Sequence, residues 1–289
     1  MGRTASRWYL ALSLFGCLGA HAGGPVWAIH GAHNTVYLAG SVHALPENDS
    51  KLPPAFDRAY RDSGKLVMEI DLANLDAMEA SGWMAEHGTL PAGGRLRALV
   101  GEQTYARVTA SASELGLSMS VLDHQAPWLV GIELSEQAYE HTGFSAEQGV
   151  EEQLLARVQS DGKATAGLET VAAQLSGLAA LSREDQARML EQSIDDLKDL
   201  QGEMQDILVA WRHGDAARLA ALLSSEYDAF PALYRPLVTV RNENWLPQIE
   251  ALLKGTDNVM VVVGSLHLVG KGGLLELLHK DGYTATQLN

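Results

Sequence analysis

Two stretches of the chain carry the same order of apolar and polar positions. Residues 26–29 and 36–39 are short apolar runs on either side of Gly31-Ala32-His33-Asn34, a hairpin pattern. The second run leads directly into Gly40-Ser41-Val42-His43. A loop with Pro46, Asn48 and Asp49 follows, then a helix opened by Pro53-Pro54, since proline is accommodated in a first helical turn. Ser63-Gly64 ends that helix, and 66–70 reads as a strand. The C-terminal end repeats the plan. Residues 259–263 are apolar and β-branched, Gly264-Ser265-Leu266-His267 follows, 274–280 is helical, and 283–288 reads as a strand after Asp281-Gly282. Between the two copies, apolar positions recur at helical spacing over 96–115, 149–159, 171–181, 183–211, 215–223 and 231–253.

This pattern predicts an α/β fold: two pseudo-duplicated strand–GxxH–helix–strand halves forming one central sheet, with a large helical insertion over about 96–254. No low-complexity linker interrupts the chain, so residues 23–289 are expected to be one domain.

Residues 1–22 are set apart. Arg3 and Arg7 precede an apolar run, and Ala20-His21-Ala22 has the small-x-small form of a signal-peptidase site, which predicts cleavage after Ala22 and a periplasmic or secreted product. The run is short for the roughly 20 residues of a membrane span, so no stable membrane insertion is expected. Lipidation at Cys17 is the alternative, weakened by the bulky Phe15. Cys17 is the only cysteine, so a cleaved chain has neither a disulfide nor a thiol nucleophile. Losing Arg3 and Arg7 takes the formal charge from −15 to −17, which argues against nucleic acid as a partner.

Most of the ten histidines sit in turns or near helix ends. His43 and His267 differ, because each lies just past a strand, at the sheet edge where α/β proteins bind ligands. The glycine three positions earlier is expected to let the backbone turn sharply. Glu69 interrupts an apolar strand, where a carboxylate is costly to bury without a partner or a cation. Asp71, two residues on, is expected on the same side of an extended strand. Two imidazoles and a carboxylate suit a divalent transition metal with an open position for water. Arg241 and Asn242 could supply a cation and an amide donor to a developing oxyanion, or form a surface pair. Glu169 reads as an inward carboxylate or a helix cap, and Ser41 and Ser265 are further candidates. There is neither a His-Glu-x-x-His zinc motif nor a GxSxG elbow.

The set of motifs resembles the TraB/GumN proteins, relatives of the Tiki metalloproteases and more distantly of the erythromycin-esterase/ChaN-like group. The matching pieces are 37–43, Met68-Glu69-Ile70-Asp71, Gly149-Val150-Glu151, Gly167-Leu168-Glu169-Thr170 with Gln174, Arg241-Asn242 with Trp245, 263–270, and Gly282-Tyr283. The resemblance implies an active site of two Gly-x-x-His motifs and a glutamate, matching His43, His267 and Glu69, with Arg241 and Asn242 in a further motif. It also implies a divalent metal, such as Mn or Co in the Tiki branch, and peptide-bond hydrolysis there; Zn is the other candidate ion. Gly-Ser-x-His stands here where Gly-Thr-x-His is common at the first site, and the C-terminal membrane anchor of the Tiki proteins is lacking. The leading expectation is an exported metal-dependent hydrolase, a peptidase, acting on a peptide or small-molecule substrate. The alternatives are a metal-free His-dependent esterase-like hydrolase and a non-enzymatic binder of peptide or haem.

Overall fold

The computed structural model describes residues 23–289, with the backbone alone for 224–229. The signal sequence expected over 1–22, with Cys17, lies outside the described residues.

The strands are β1 (Val26–His30), β2 (Thr35–Ser41), β3 (Leu45–Pro46), β4 (Lys65–Met68), β5 (Phe144–Ser145), β6 (Ala164–Gly167), β7 (Val259–Gly264) and β8 (Ala285–Gln287). Six of them form a mixed central sheet in the order β6-β4-β7-β2-β1-β8, and β3 pairs with β5 apart from it. β2, β7, β4 and β6 run parallel, while β1 is antiparallel to both neighbours. β7 is the most enclosed strand, buried at every position, as its unbroken Val-Met-Val-Val-Val run requires of a strand covered on both faces.

The two halves meet as neighbours. β2 and β7 lie side by side in parallel, with Gly40 opposite Val263 and Ser41 opposite Gly264. Both Gly-Ser-x-His segments therefore leave the sheet at the same edge, one strand apart. β4 is the other neighbour of β7, with Met68 opposite Val262, so Glu69 leaves the sheet on that edge too.

The stretch between the halves is mostly helical, with several departures from the sequence pattern. β6 lies inside the expected insertion yet completes the central sheet beside β4; its short, weakly apolar Ala-Thr-Ala-Gly gives little strand signal. The 183–211 periodicity is two helices, Arg183–Asp196 and Leu200–His213, broken at 197–199. The 231–253 helix contains a π-helical segment, Arg235–Thr239, just before Val240–Leu253. Helices Ala77–Gly88 and Pro127–His141 went unrecognised; the first is exposed at nearly every position and has little apolar periodicity.

A large apolar cluster covers the sheet, with Trp211 and Trp245 among its fully buried side chains. Two smaller clusters lie among the helices. No helix among the described residues is long and apolar enough to cross a membrane.

Candidate functional site

Gly40 and Gly264 do not work as sharp turns: neither has a positive φ. Close approach requires the first; the second leaves open the space on which the site groups converge. A Cβ on Gly40 would lie 2.9 Å from Ser265 Oγ, so the second motif packs directly on the first. Trp211 Nε1 also donates to the Gly40 carbonyl at 2.7 Å, in full burial. A Cβ on Gly264 would lie 3.4 Å from Glu69 Oε1, 3.6 Å from His43 Nε2 and 3.7 Å from His267 Cδ2. Both imidazoles and the carboxylate thus converge on one point beside Gly264, whose N–H donates to Glu69 Oε1 at 2.7 Å.

The serines tie the motifs together. Ser265 Oγ donates to the Ser41 carbonyl at 2.8 Å, and Ser41 Oγ donates to Glu151 Oε1 at 2.5 Å. Both hydroxyls are spent on structure. The same Glu151 oxygen lies 3.0 Å from His43 Nδ1. Glu151 sits in the first turn of helix Val150–Asp161, where the helix dipole favours a carboxylate. That turn is anchored by the Val150 N–H to the Val42 carbonyl at 3.3 Å. Glu151 Oε2 is buried without a hydrogen-bond partner among the described residues. The family resemblance includes Gly149-Val150-Glu151 without a role for Glu151; Glu152 beside it carries the same chemistry, and only the fold tells them apart.

His267 is held from the other side. Its Nδ1–H donates to Asn242 Oδ1 at 2.8 Å, and Asn242 Nδ2 donates to the carbonyls of His267 and Gly272 at 3.2 and 2.9 Å. Asn242 is wholly buried, both of its amide hydrogens are donated to carbonyls, and its Oδ1 positions the His267 ring. Arg241 is not a surface residue either. Its guanidinium pairs with Glu69, with Glu169 through Nε and Nη2 at 2.8 and 2.7 Å, and with His267 Nε2 through Nη1 at 3.0 Å. Trp245 packs over that cation at 4.6 Å and donates to Glu169 Oε2 at 3.3 Å. Glu169 is thus an inward carboxylate; the cap of the following helix is Thr170. Asp71 is not on an extended strand. β4 stops at Met68, and Asp71 begins a 3₁₀ turn with Oδ2 accepting from Asn74 at 2.9 Å.

Electrostatics divide the two histidines. Burial pushes the His267 pKa down to about 4 against the pull of Glu69, so the ring is neutral at pH 7 and its Nε2 lone pair accepts the Arg241 hydrogen bond. His43 is the exposed member, 72% accessible, and the adjacent Glu151 carboxylate raises it to about 9. Water at its open face screens that pair, so added salt lowers the value. Burial works to raise Glu69, but neighbouring positive charge and the Gly264 N–H outweigh it and lower the carboxyl to about 2. With His267 neutral above pH 4, Arg241 and the protonated His43 are the positive charges that hold that balance at pH 7.

His43, Glu69, Glu151, Glu152, Gln174 and Met68 line a cavity of about 220 Å³. A larger groove of about 830 Å³ runs among the helices near Arg107, His141 and Gly202 and includes none of these site residues.

The donor types fit a divalent ion. Each imidazole has its Nδ1 tied to an acceptor, the outer support usual for metal-binding histidines, and the carboxylate stands between them. The arrangement is not preassembled: among the described residues no three His, Cys, Asp or Glu side chains stand as a metal-holding group. Arg241 Nη1 donates to the lone pair of His267 Nε2 at 3.0 Å.

The sequence pattern of the TraB/PrgY/gumN family matches residues 25–287. The chain belongs to this family. It is 24% identical over 242 residues to the uncharacterized protein YbaP of Escherichia coli (strain K12), covering 84% of this chain and 87% of YbaP, and equally similar to YbaP of Shigella flexneri. No solved structure matches.

Proposed function

We propose that this TraB/PrgY/gumN family member is an exported, metal-dependent hydrolase that cleaves peptide bonds, with His43, Glu69 and His267 as the residues that hold the ion. The observation that carries the reading is the convergence of His43 Nε2, Glu69 Oε1 and His267 on the space beside Gly264. A bound divalent ion supplies a Lewis acid for the substrate carbonyl and an acidified water. The protein's own contribution is positional. Glu151, braced by Ser41, aims His43 Nε2 into the cavity. Asn242 fixes the His267 ring, and Arg241 sets the charge around Glu69. Gln174 Nε2, 3.5 Å from Glu69 Oε2, has donor capacity to spare for a substrate carbonyl. The cavity is smaller than the roughly 300–1,000 Å³ of drug-sized ligand pockets, which suits a short length of peptide better than a haem.

A metal-free reading has its own support in the His43–Glu151–Ser41 chain, the arrangement of an oriented general base. In that reading His43 acts above its raised pKa, or at lower pH as an acid. The protein, purified without a His tag, is assayed for bound Mn, Co and Zn and for cleavage of a peptide library. His43→Ala is expected to lose metal binding and hydrolysis with an unchanged circular dichroism spectrum. Undiminished hydrolysis by that variant sinks both readings. Parent activity that survives exhaustive chelation leaves only the metal-free one, and stoichiometric peptide binding without product replaces both with a binder.

A further inference from the structure

His267 Nε2 and Glu69 already have a cation. Arg241 Nη1 donates to Nε2 at 3.0 Å, and Nη2 is paired with Glu69 Oε2. The Nδ1–H of His267 is committed to Asn242 Oδ1, so Nε2 holds the ring's one available lone pair, which cannot serve an N–H and a metal ion together. The same guanidinium has three further partners. Glu169 Oε1 takes both Nε and Nη2, at 2.8 and 2.7 Å, the Leu237 carbonyl accepts from Nη1 at 3.1 Å, and the Trp245 ring lies under the group.

We propose, building on the metal-dependent reading above, that Arg241 is a resident cation that closes the site and exchanges with a divalent metal ion by pivoting on Glu169. In the exchange Arg241 gives up His267 Nε2 and Glu69 and keeps Glu169, the Leu237 carbonyl and the face of Trp245. Charge favours the trade, because three carboxylates, Glu69, Glu151 and Glu169, stand around the site and Arg241 is the cation bonded to two of them. Held by Arg241, the buried carboxylates are paired before any ion arrives, which avoids the cost of an unpaired buried charge. Arg241 lies immediately beyond the π-helical segment Arg235–Thr239, which includes Leu237; such segments are frequent at functional sites.

The inference separates sharply from a supporting role. If Arg241 merely braced the ligands, removing it would weaken metal binding; as a competitor, its removal strengthens it. The test is calorimetric titration of the full, tag-free chain with Mn²⁺, for the parent, Arg241→Ala, Arg241→Lys and Glu169→Gln, with circular dichroism to confirm folding. Arg241→Ala is expected to bind at least tenfold tighter than the parent. Glu169→Gln, which removes the pivot's charge and leaves the guanidinium on Glu69 and His267, is expected to bind at least tenfold weaker. Should Arg241→Ala fail to fold, Arg241→Lys, with no fork to span Glu69 and His267 together, is expected to bind tighter while Glu169→Gln still binds weaker. Equal affinity across the folded variants, or weaker binding on loss of Arg241, overturns the exchange and leaves the metal reading standing. Absence of Mn²⁺ binding in the parent and every folded variant overturns both.

Discussion

At the scale of single residues, the site depends on an atom that is missing. Gly264 has φ −51° and ψ 139°, a conformation any residue adopts, and a methyl group there would touch Glu69, His43 and His267 at 3.4–3.7 Å without a hard clash. Gly264→Ala is therefore expected to leave the unfolding free energy within about 1 kcal/mol of the parent. It fills the point of convergence, so the proposed hydrolysis is expected to fall by about 100-fold or more, as misplacement at a reacting centre does. A large loss of stability in urea titration, or undiminished activity, contradicts this. Glu151 makes a second residue-scale case. Its carboxylate is the largest cause of the raised His43 pKa, so Glu151→Gln is expected to bring His43 from about 9 back toward 6.5 in an NMR titration. These residues differ in how far the sequence discloses them. The Gly-Ser-x-His spacing points to His43 and His267, and the interrupted apolar strand points to Glu69. Glu151 and the committed amide of Asn242 become visible only when three-dimensional partners are known.

At the scale of elements, the register of β2 against β7 and of β4 against β7 sets the three convergent groups, and the π-helical segment sets Arg241. Helix Val171–Ala179, which carries Gln174, leans on that segment at Gly177. A Cβ there would lie 2.6 Å from Pro236 Cβ, inside the distance real contacts reach. Gly177→Ala normally strengthens a helix by up to about 1 kcal/mol; here overpacking reverses the sign, with an expected loss of about 1–3 kcal/mol in urea unfolding. A stabilised variant would show that this contact yields freely. The apolar periodicity finds the long helices because their buried faces repeat every turn. It runs 183–196 and 200–213 together because the helical pattern continues across the break at 197–199, and it passes over β6 because four small residues on a half-covered edge have no alternation to read.

At the scale of the whole molecule, the two histidines tilt stability in opposite directions with pH. The folded pKa of His267 lies below its ordinary 6.5, so the unfolded chain binds the extra proton and stability is lost as pH falls from about 6.5 through 4. Glu69, also lowered, adds a loss as pH falls from 4.5 toward 2. His43 is raised, so its contribution is complete below 6.5 and disappears as pH rises through 9, reduced by the water at its open face. The urea midpoint is expected to peak near pH 6–7 and to drop on the acid side by the equivalent of about 1–3 kcal/mol by pH 4. His267→Asn should flatten the part of that drop between 6.5 and 4. A midpoint that rises on acidification contradicts the buried, neutral assignment of His267.

The sequence by itself determined the α/β class, the family, and the two Gly-Ser-x-His edges with the glutamate between them, because strand burial and motif spacing are local properties written in consecutive residues. The tertiary structure alone decided that β6 joins the sheet, that Gly40 is closely packed against Ser265, that Asn242 steers a ring, and that Arg241 lies across Glu69, Glu169 and His267. Each of those depends on groups distant in sequence arriving at hydrogen-bonding distance, and no pattern along the chain encodes which of many similar carboxylates, amides and guanidinium groups will meet.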